Sequence, residues 1–283
     1  MNVLEAEGVW KIFGATVALA NVSLDLGRGL HVIAGPNGSG KTTLLKLWSG
    51  LLKPSRGRVR VLNLDPWFQK TTLLRRVHVV FEDIQLPWWV SGLDYMRFVA
   101  ASRGVKWGDV LEVAEALEIT GYWARLIGGY SSGMRKRILL AQALIGEPEV
   151  LLLDEPYTLL DVKAISTIHE IIRGKLKGGT TVVIATHIRT SLEDEASILT
   201  VLRNGSIQKH YREDDMKLRA EIVCDEGEIA RSIAKSSLDG VLKAIVRGKR
   251  VLLEAEASIP VEEVSNCKTR LSVKELYEEA LHS

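Results

Sequence analysis

The stretch Gly35-Pro36-Asn37-Gly38-Ser39-Gly40-Lys41-Thr42-Thr43 constrains this chain more than any other, because it fits the pattern glycine, four residues, then Gly-Lys-Ser/Thr. Before it, Leu30-His31-Val32-Ile33-Ala34 reads as a short buried strand; after it, Thr43-Leu44-Leu45-Lys46-Leu47-Trp48 has helical apolar spacing. Strand, loop and helix in that order are what such a loop needs. Its glycines let the backbone wrap closely, so that consecutive N–H groups point inward as an anion nest. The helix starting near Lys41 adds its positive dipole end. Lys41 then reaches the β- and γ-phosphates of a nucleotide, and the Thr42 hydroxyl ligates Mg²⁺.

Composition leaves room for this reading and removes others. The 283 residues are 46% apolar and 25% charged, an ordinary globular balance that allows one large domain and a small one. A net charge of +2 gives no global electrostatic case for nucleic acid, and no nucleic-acid partner is expected. Arg135-Lys136-Arg137 and Arg247-Gly248-Lys249-Arg250 read as solvated faces or phosphate neighbours. Cys224 and Cys267 are too few for a disulfide framework, which fits a reducing compartment. The start lacks the basic-then-apolar pattern of a secretory signal. No apolar run approaches the roughly 18–20 residues that span a bilayer. Any membrane role is expected to run through a partner.

Along the chain, strands and helices alternate. Val22–Leu26, Arg58–Leu62, Val77–Phe81, Val150–Leu153 and Thr181–Ala185 read as strands. Helical patterns cover about 41–49, Ser91 to about Leu126, Arg137–Gly146 and 162–176. Ser91-Gly92-Leu93-Asp94 resembles a capping box with Asp at its last position. The expectation is an α/β fold around a phosphate-loop core, with a mostly helical insert near 85–147. From about Asp214 the flavour changes. Arg219–Val223 and Arg250–Glu254 look like strands, with helices at Glu226–Ser236 and Ser272–Leu281, so 214–283 reads as a small α+β appendage to a domain of 1–213.

Two further motifs fit phosphate chemistry; the first, a pair of acids after an apolar strand, is also an ordinary way to cap a strand end and gains weight from the phosphate loop in the same chain. Leu151-Leu152-Leu153-Asp154-Glu155-Pro156 ends a buried strand in two acids. At the carboxyl end of a parallel strand, Asp154 is placed to hold Mg²⁺ opposite Thr42, and Glu155 to act as general base on an attacking water. Tyr130-Ser131-Ser132-Gly133-Met134-Arg135-Lys136-Arg137 offers hydroxyls, backbone N–H groups and a positive helix end, although alone it is also an ordinary N-cap.

Taken in order, the phosphate loop, the Ser-Ser-Gly turn and Leu-Leu-Leu-Asp-Glu-Pro resemble the nucleotide-binding domain of the ATP-binding cassette (ABC) family over roughly residues 3–213. The resemblance implies a P-loop NTPase core with an antiparallel β subdomain and the helical insert, using ATP and Mg²⁺. Phe13 stands where the family stacks an aromatic on adenine, with Trp10 a competitor and core packing the alternative. Gly35 to Thr43 hold the phosphates. Ser131, Ser132 and Gly133 complete the site of a facing subunit, and Asp161, in Thr158-Leu159-Leu160-Asp161, belongs to the loop that crosses the dimer interface. His187, in Ala185-Thr186-His187, matches the switch histidine at the γ-phosphate, so Lys41, Glu155 and His187 are the implied catalytic group.

Several positions depart from the family pattern. Glu82 stands where Gln is usual as a Mg²⁺ contact; it also offers oxygen but adds negative charge, and Gln85 is a poorer substitute. The signature carries Tyr130, Ser132 and Met134 where Leu, Gly and Gln are commonest, a form similar to exporter-type members. The implied function is the ATPase subunit of a membrane transporter, peripheral on the inner face of the membrane. Its implied partners are a second nucleotide-binding subunit and a separate permease. An ABC ATPase outside transport, such as a cluster-assembly type, and a nucleotide-binding regulator are the alternatives. Adjacent Trp88 and Trp89 cannot easily both face one core, so one is expected at the surface, where the family meets its permease; packing of both rings inside the helical insert is the alternative.

Overall fold

Alternation of apolar and polar residues builds the first sheet. β1 (Leu4–Phe13) and β2 (Thr16–Leu26) form an antiparallel hairpin that pairs Leu4 with Leu26 and Ala6 with Leu24, all buried. The chain then enters β3 (Leu30–Ala34), passes through the phosphate loop into α1 (Lys41–Trp48), and returns as β4 (Arg56–Val61) on the other side of β1. The resulting order is β2-β1-β4. The computed structural model describes residues 2–188, 190, 192 and 195–212, together with the backbone of four later strands.

The second sheet carries the site. After a short α2 (Lys70–Leu73) come β5 (Val77–Val80), α3 (Gly92–Arg103), α4 (Trp107–Ala116) and α5 (Ser132–Leu144). They are followed by β6 (Val150–Asp154), α6 (Val162–Lys177), β7 (Thr181–Thr186), β8 (Ile198–Arg203) and β9 (Ser206–Arg212). The strand order is β5-β6-β7-β3-β8-β9, with β5, β6, β7 and β3 mutually parallel. β3, β6 and β7 are buried along their whole length, which is why they read as unbroken apolar runs. Register matters most here. Ala34 pairs with Thr186 and Asp154 with Ala185, so three parallel strands end side by side. The loops that follow them therefore emerge at one edge, where ligands of open α/β sheets bind.

The helical region between β5 and β6 is more broken than its periodicity suggests. Gly104, at φ 68°, closes α3, and α4 ends at Ala116. Ser91 caps α3 by accepting from Asp94 N at 3.0 Å, but its hydroxyl donates to the Asp94 carboxylate at 2.6 Å, so the reciprocal bond of a full capping box is replaced. β8 and β9 were not anticipated; they are joined at Asn204-Gly205, both at positive φ (48° and 75°), the pairing that suits a tight hairpin.

Contacts divide the chain into two units, Met1–Ile188 with Leu199–Lys209, and Arg189–Ile198 with His210–Ser283. In the second, β10 (Arg219–Cys224), β11 (Val241–Arg247), β12 (Arg250–Ala255) and β13 (Cys267–Leu271) form an antiparallel sheet in the order β11-β12-β10-β13. Its last pairing sets Cys224 opposite Cys267, close in register although distant in sequence. The expected helices at Glu226–Ser236 and Ser272–Leu281 lie outside the described residues.

Candidate active site

The phosphate loop is moulded against its neighbours. A Cβ on Gly35 would stand 2.1 Å from the Leu202 carbonyl oxygen, so only glycine permits that approach. Gly40 opens α1 at φ 105°, a left-handed conformation that side chains resist. α1 starts with no side-chain cap and no acid in its first turn, which leaves its positive end for an anion. The β8–β9 turn braces the loop from behind: Gly205 N donates to Ser39 O at 3.0 Å, and Ala20 N donates to Gly205 O at 2.8 Å.

Lys41 is buried, and its ammonium donates to the Gly35 and Pro36 carbonyls at 2.8 and 3.2 Å. It also lies 3.4 Å from Glu155 Oε1. The Thr42 hydroxyl donates to Asp154 Oδ2 at 2.8 Å. Burial pushes the Asp154 carboxyl up to about 6; the Thr42 hydrogen bond and the Lys41 charge oppose that rise, while the Glu155 and Glu82 charges add to it. Among the described residues, Asp154 Oδ1 and Ser39 Oγ are buried without a hydrogen-bond partner. Such orphans call for a ligand.

Glu155 follows β6 at φ 45°, strained for a residue with a side chain. Its Oε2 accepts from Thr186 Oγ1 at 3.1 Å and from His187 N at 3.4 Å. Its Oε1 stands 2.9 Å from His187 Nδ1. The structure thus gathers Lys41, Thr42, Asp154, Glu155 and His187 from three strand ends. Glu82, after β5, acts on the same group electrostatically, since its charge is felt at Asp154 and at Lys136.

Phe13 is 46% exposed at the end of β1, with the Lys11 ammonium 4.8 Å from its ring centroid. That exposure removes core packing as its purpose. Ser131 caps α5 by accepting from Met134 N at 3.2 Å, and Ser132 is exposed. Asp161 caps α6 through Ala164 N at 2.8 Å and pairs with Arg137 at 2.6 Å; the cap first, then Arg137, holds its carboxyl below the usual range. No hydrogen bond or ion pair among the described residues joins the Ser131–Gly133 turn to the phosphate loop of the same chain.

One expectation is corrected. Arg135-Lys136-Arg137, expected as a solvated face or as phosphate neighbours, is split: Arg135 is exposed, Arg137 is half-buried and Lys136 is buried beside the site. Arg135 donates to the Tyr130 carbonyl, Arg137 bridges Glu118 and Asp161, and Lys136 is only 4% exposed and donates to the Glu155 carbonyl at 2.6 Å. Lys136 is the site neighbour that sequence reading missed. A basic run gives no sign of which cation turns inward. For Arg247–Arg250 the side chains lie outside the described residues.

Trp88 and Trp89 are both exposed, at 68% and 64%, in an edge-to-face pair with centroids 5.6 Å apart. Trp88 borders a cleft of about 350 Å³ that Glu82, Ile84, Leu86, Leu139 and Leu159 also line. Hydrogen bonds from Gly128 N to Trp88 O and from Ile127 N to Val90 O, both 2.9 Å, tie this loop to the segment before the Ser-Ser-Gly turn.

Comparison with known proteins gives a consistent answer. The model of the ABC transporter family matches residues 19–158. The daunorubicin resistance ATP-binding protein of Streptomyces coeruleorubidus is 30% identical over 93% of this chain and 86% of its own length. The bacitracin transport ATP-binding protein of Enterococcus faecalis is 30% identical over 83% of this chain and 79% of its own. A bacterial ABC transporter cassette solved as a dimer superposes with a TM-score of 0.65 at 24% identity, covering 74% of this chain and 98% of that one, a likeness of fold.

Proposed function

Because this chain belongs to the ABC transporter family, as an ATP-hydrolysing subunit of a membrane transporter, we propose that the cluster of Lys41, Thr42, Asp154, Glu155 and His187 is its hydrolytic centre. The observation that carries the assignment is the position of Glu155: buried, strained, and with one carboxylate oxygen 3.4 Å from Lys41 and 2.9 Å from His187. A base for water attack belongs in such a place, within reach of both phosphate-binding groups.

The residues Gly35 to Thr43 receive the triphosphate of ATP on the loop amides and the end of α1. Lys41 exchanges its carbonyl partners for the β- and γ-phosphates. Thr42 and Asp154 would hold Mg²⁺, with Glu82 as a third oxygen donor. The orphaned Asp154 Oδ1 fits that task. Mg²⁺, when bound, neutralises charge on the β- and γ-phosphates. Glu155 takes a proton from water as the water oxygen bonds to the γ-phosphorus. The γ-phosphorus–oxygen bond to ADP breaks, and phosphate is released. His187 contacts the γ-phosphate, and Phe13 stacks on adenine.

Ser131, Ser132, Gly133 and Asp161 serve a facing subunit. Their separation from the phosphate loop of their own chain supports this, as does the dimeric assembly of the related cassette. No helix among the described residues is long and apolar enough to cross a membrane; the membrane-spanning part is assigned to a separate permease. Trp88, Trp89 and the adjoining cleft are the proposed contact. The test is Mg-ATP hydrolysis by the purified chain against Lys41→Ala. Turnover and nucleotide affinity should fall together in the variant; equal turnover in both would remove Lys41 from the reaction.

A further inference from the structure

Glu155 has its backbone clamped from three sides. Its N–H donates to the Ala185 carbonyl at 2.8 Å across to β7. Its own carbonyl accepts twice, from the Thr158 hydroxyl at 3.1 Å and from the Lys136 ammonium at 2.6 Å. The first two bonds come from the strand register and from a local turn. The third comes from a different element, α5, whose first residues form the Ser-Ser-Gly turn.

Burying a lysine is costly, and Lys136 is buried. Burial lowers its pKa, while the charges of Glu82, Asp154 and Glu155 favour its cationic form. The buried ammonium, in the field of three carboxylates, spends a short, charge-assisted hydrogen bond on a main-chain oxygen. That oxygen belongs to a residue at φ 45°, a conformation that persists only where its surroundings enforce it. Without Lys136 the Glu155 peptide would keep one side-chain donor on its carbonyl, and rotation of that peptide would swing the carboxylate away from Lys41 and His187.

We propose that Lys136 is a positioning residue for hydrolysis: it reaches from the helix that carries the Ser-Ser-Gly turn to fix the backbone, and through it the carboxylate, of Glu155. The inference rests on the reading of Glu155 as base. It also gives α5 two tasks, presenting its first turn to the facing subunit while holding the base of its own. A displacement of α5 on subunit closure is then felt directly at Glu155.

The test compares four full-length chains: wild type, Lys136→Met, Glu155→Gln and the double variant. Lys136→Met keeps an unbranched side chain, one atom shorter, and removes the donor. It should lower kcat by about tenfold to a hundredfold, the scale on which small misplacements of a reacting group act. KM for ATP should stay within about twofold, because no phosphate contact is lost. In the Glu155→Gln background the same change should alter the residual rate by less than about twofold, since there is no base left to position. An unchanged kcat for Lys136→Met, or an equal fold-loss in both backgrounds, would overturn the proposal. Wild-type turnover by Glu155→Gln would instead overturn the assignment of the base, so the two failures are distinguishable. Should Lys136→Met fail to fold, Lys136→Arg, which keeps charge and donor, and Lys136→Gln are measured in the same cycle. Arg is expected to retain more activity than Gln, and the reverse order would count against the proposal.

Discussion

Thr42 and Asp154, on different elements and far apart in sequence, meet through a 2.8 Å hydrogen bond from the Thr42 hydroxyl to Asp154 Oδ2. The bond links the first turn of α1 to the end of β6. It satisfies only half of a buried carboxylate, since Oδ1 has no hydrogen-bond partner among the described residues. A buried carboxylate satisfied on one oxygen only is strained electrostatically when ionised.

That strain is measurable. Asp154 titrates at about 6 in the fold against about 3.9 in an unfolded chain, so its ionised form is disfavoured by folding. For an acid with a raised pKa the penalty is absent below about pH 4, grows as pH rises, and is complete above about pH 6. A shift of this size corresponds to about 3 kcal/mol. Asp154→Asn should therefore raise the melting temperature of the nucleotide-free chain at pH 7.5, by less at pH 5, and should abolish Mg-ATP turnover. His78, pushed down to about 4 mainly by burial, contributes stability that is lost as pH falls from about 6.5 toward 4, but it is common to both proteins and cancels in their difference. A variant that melts lower than wild type at pH 7.5 would contradict this account.

Besides the charge felt at Asp154, Glu82 is expected to serve turnover as an oxygen donor, a role that Gln can keep. Glu82→Gln should keep at least about half of the wild-type turnover, whereas Glu82→Ala should lose about tenfold, as for removal of one ligand contact. Steady-state rates separate the two. Equal rates for wild type and Glu82→Ala would return Glu82 to an ordinary acid at a strand end.

With both tryptophans exposed, alanine at Trp88 or Trp89 should change the stability of the isolated subunit by no more than about 0.5 kcal/mol. Hydrolysis by the isolated subunit should persist, and co-purification with the permease should be lost in at least one of the two. Losses of about 3–5 kcal/mol in both, the cost of a truncated core aromatic, would contradict the surface role.

Much of the fold was legible because burial on both faces leaves continuous apolar runs: Val150–Leu153 and Thr181–Ala185 announced β6 and β7 directly. The helical insert was harder. Its pattern continued through Gly104 and past Ala116, where turn geometry rather than periodicity ends the helices. The candidate site was legible where a motif fixes a local shape, as in Gly35 to Thr43 or Asp154-Glu155. Lys136 was not, since its meeting with Glu155 depends on how α5 packs beside the end of β6. The brace from Asn204-Gly205 was missed for the same reason: its partners, Ser39 and Ala20, lie early in the chain.

The central claim, that two copies of this surface close on ATP and that Glu155 then supplies the base, is tested most directly by sedimentation of Glu155→Gln with and without Mg-ATP. The account predicts a monomer without nucleotide and a stable dimer with it, holding two unhydrolysed ATP molecules. A chain that stays monomeric with Mg-ATP bound, or that hydrolyses it at the wild-type rate, would contradict it.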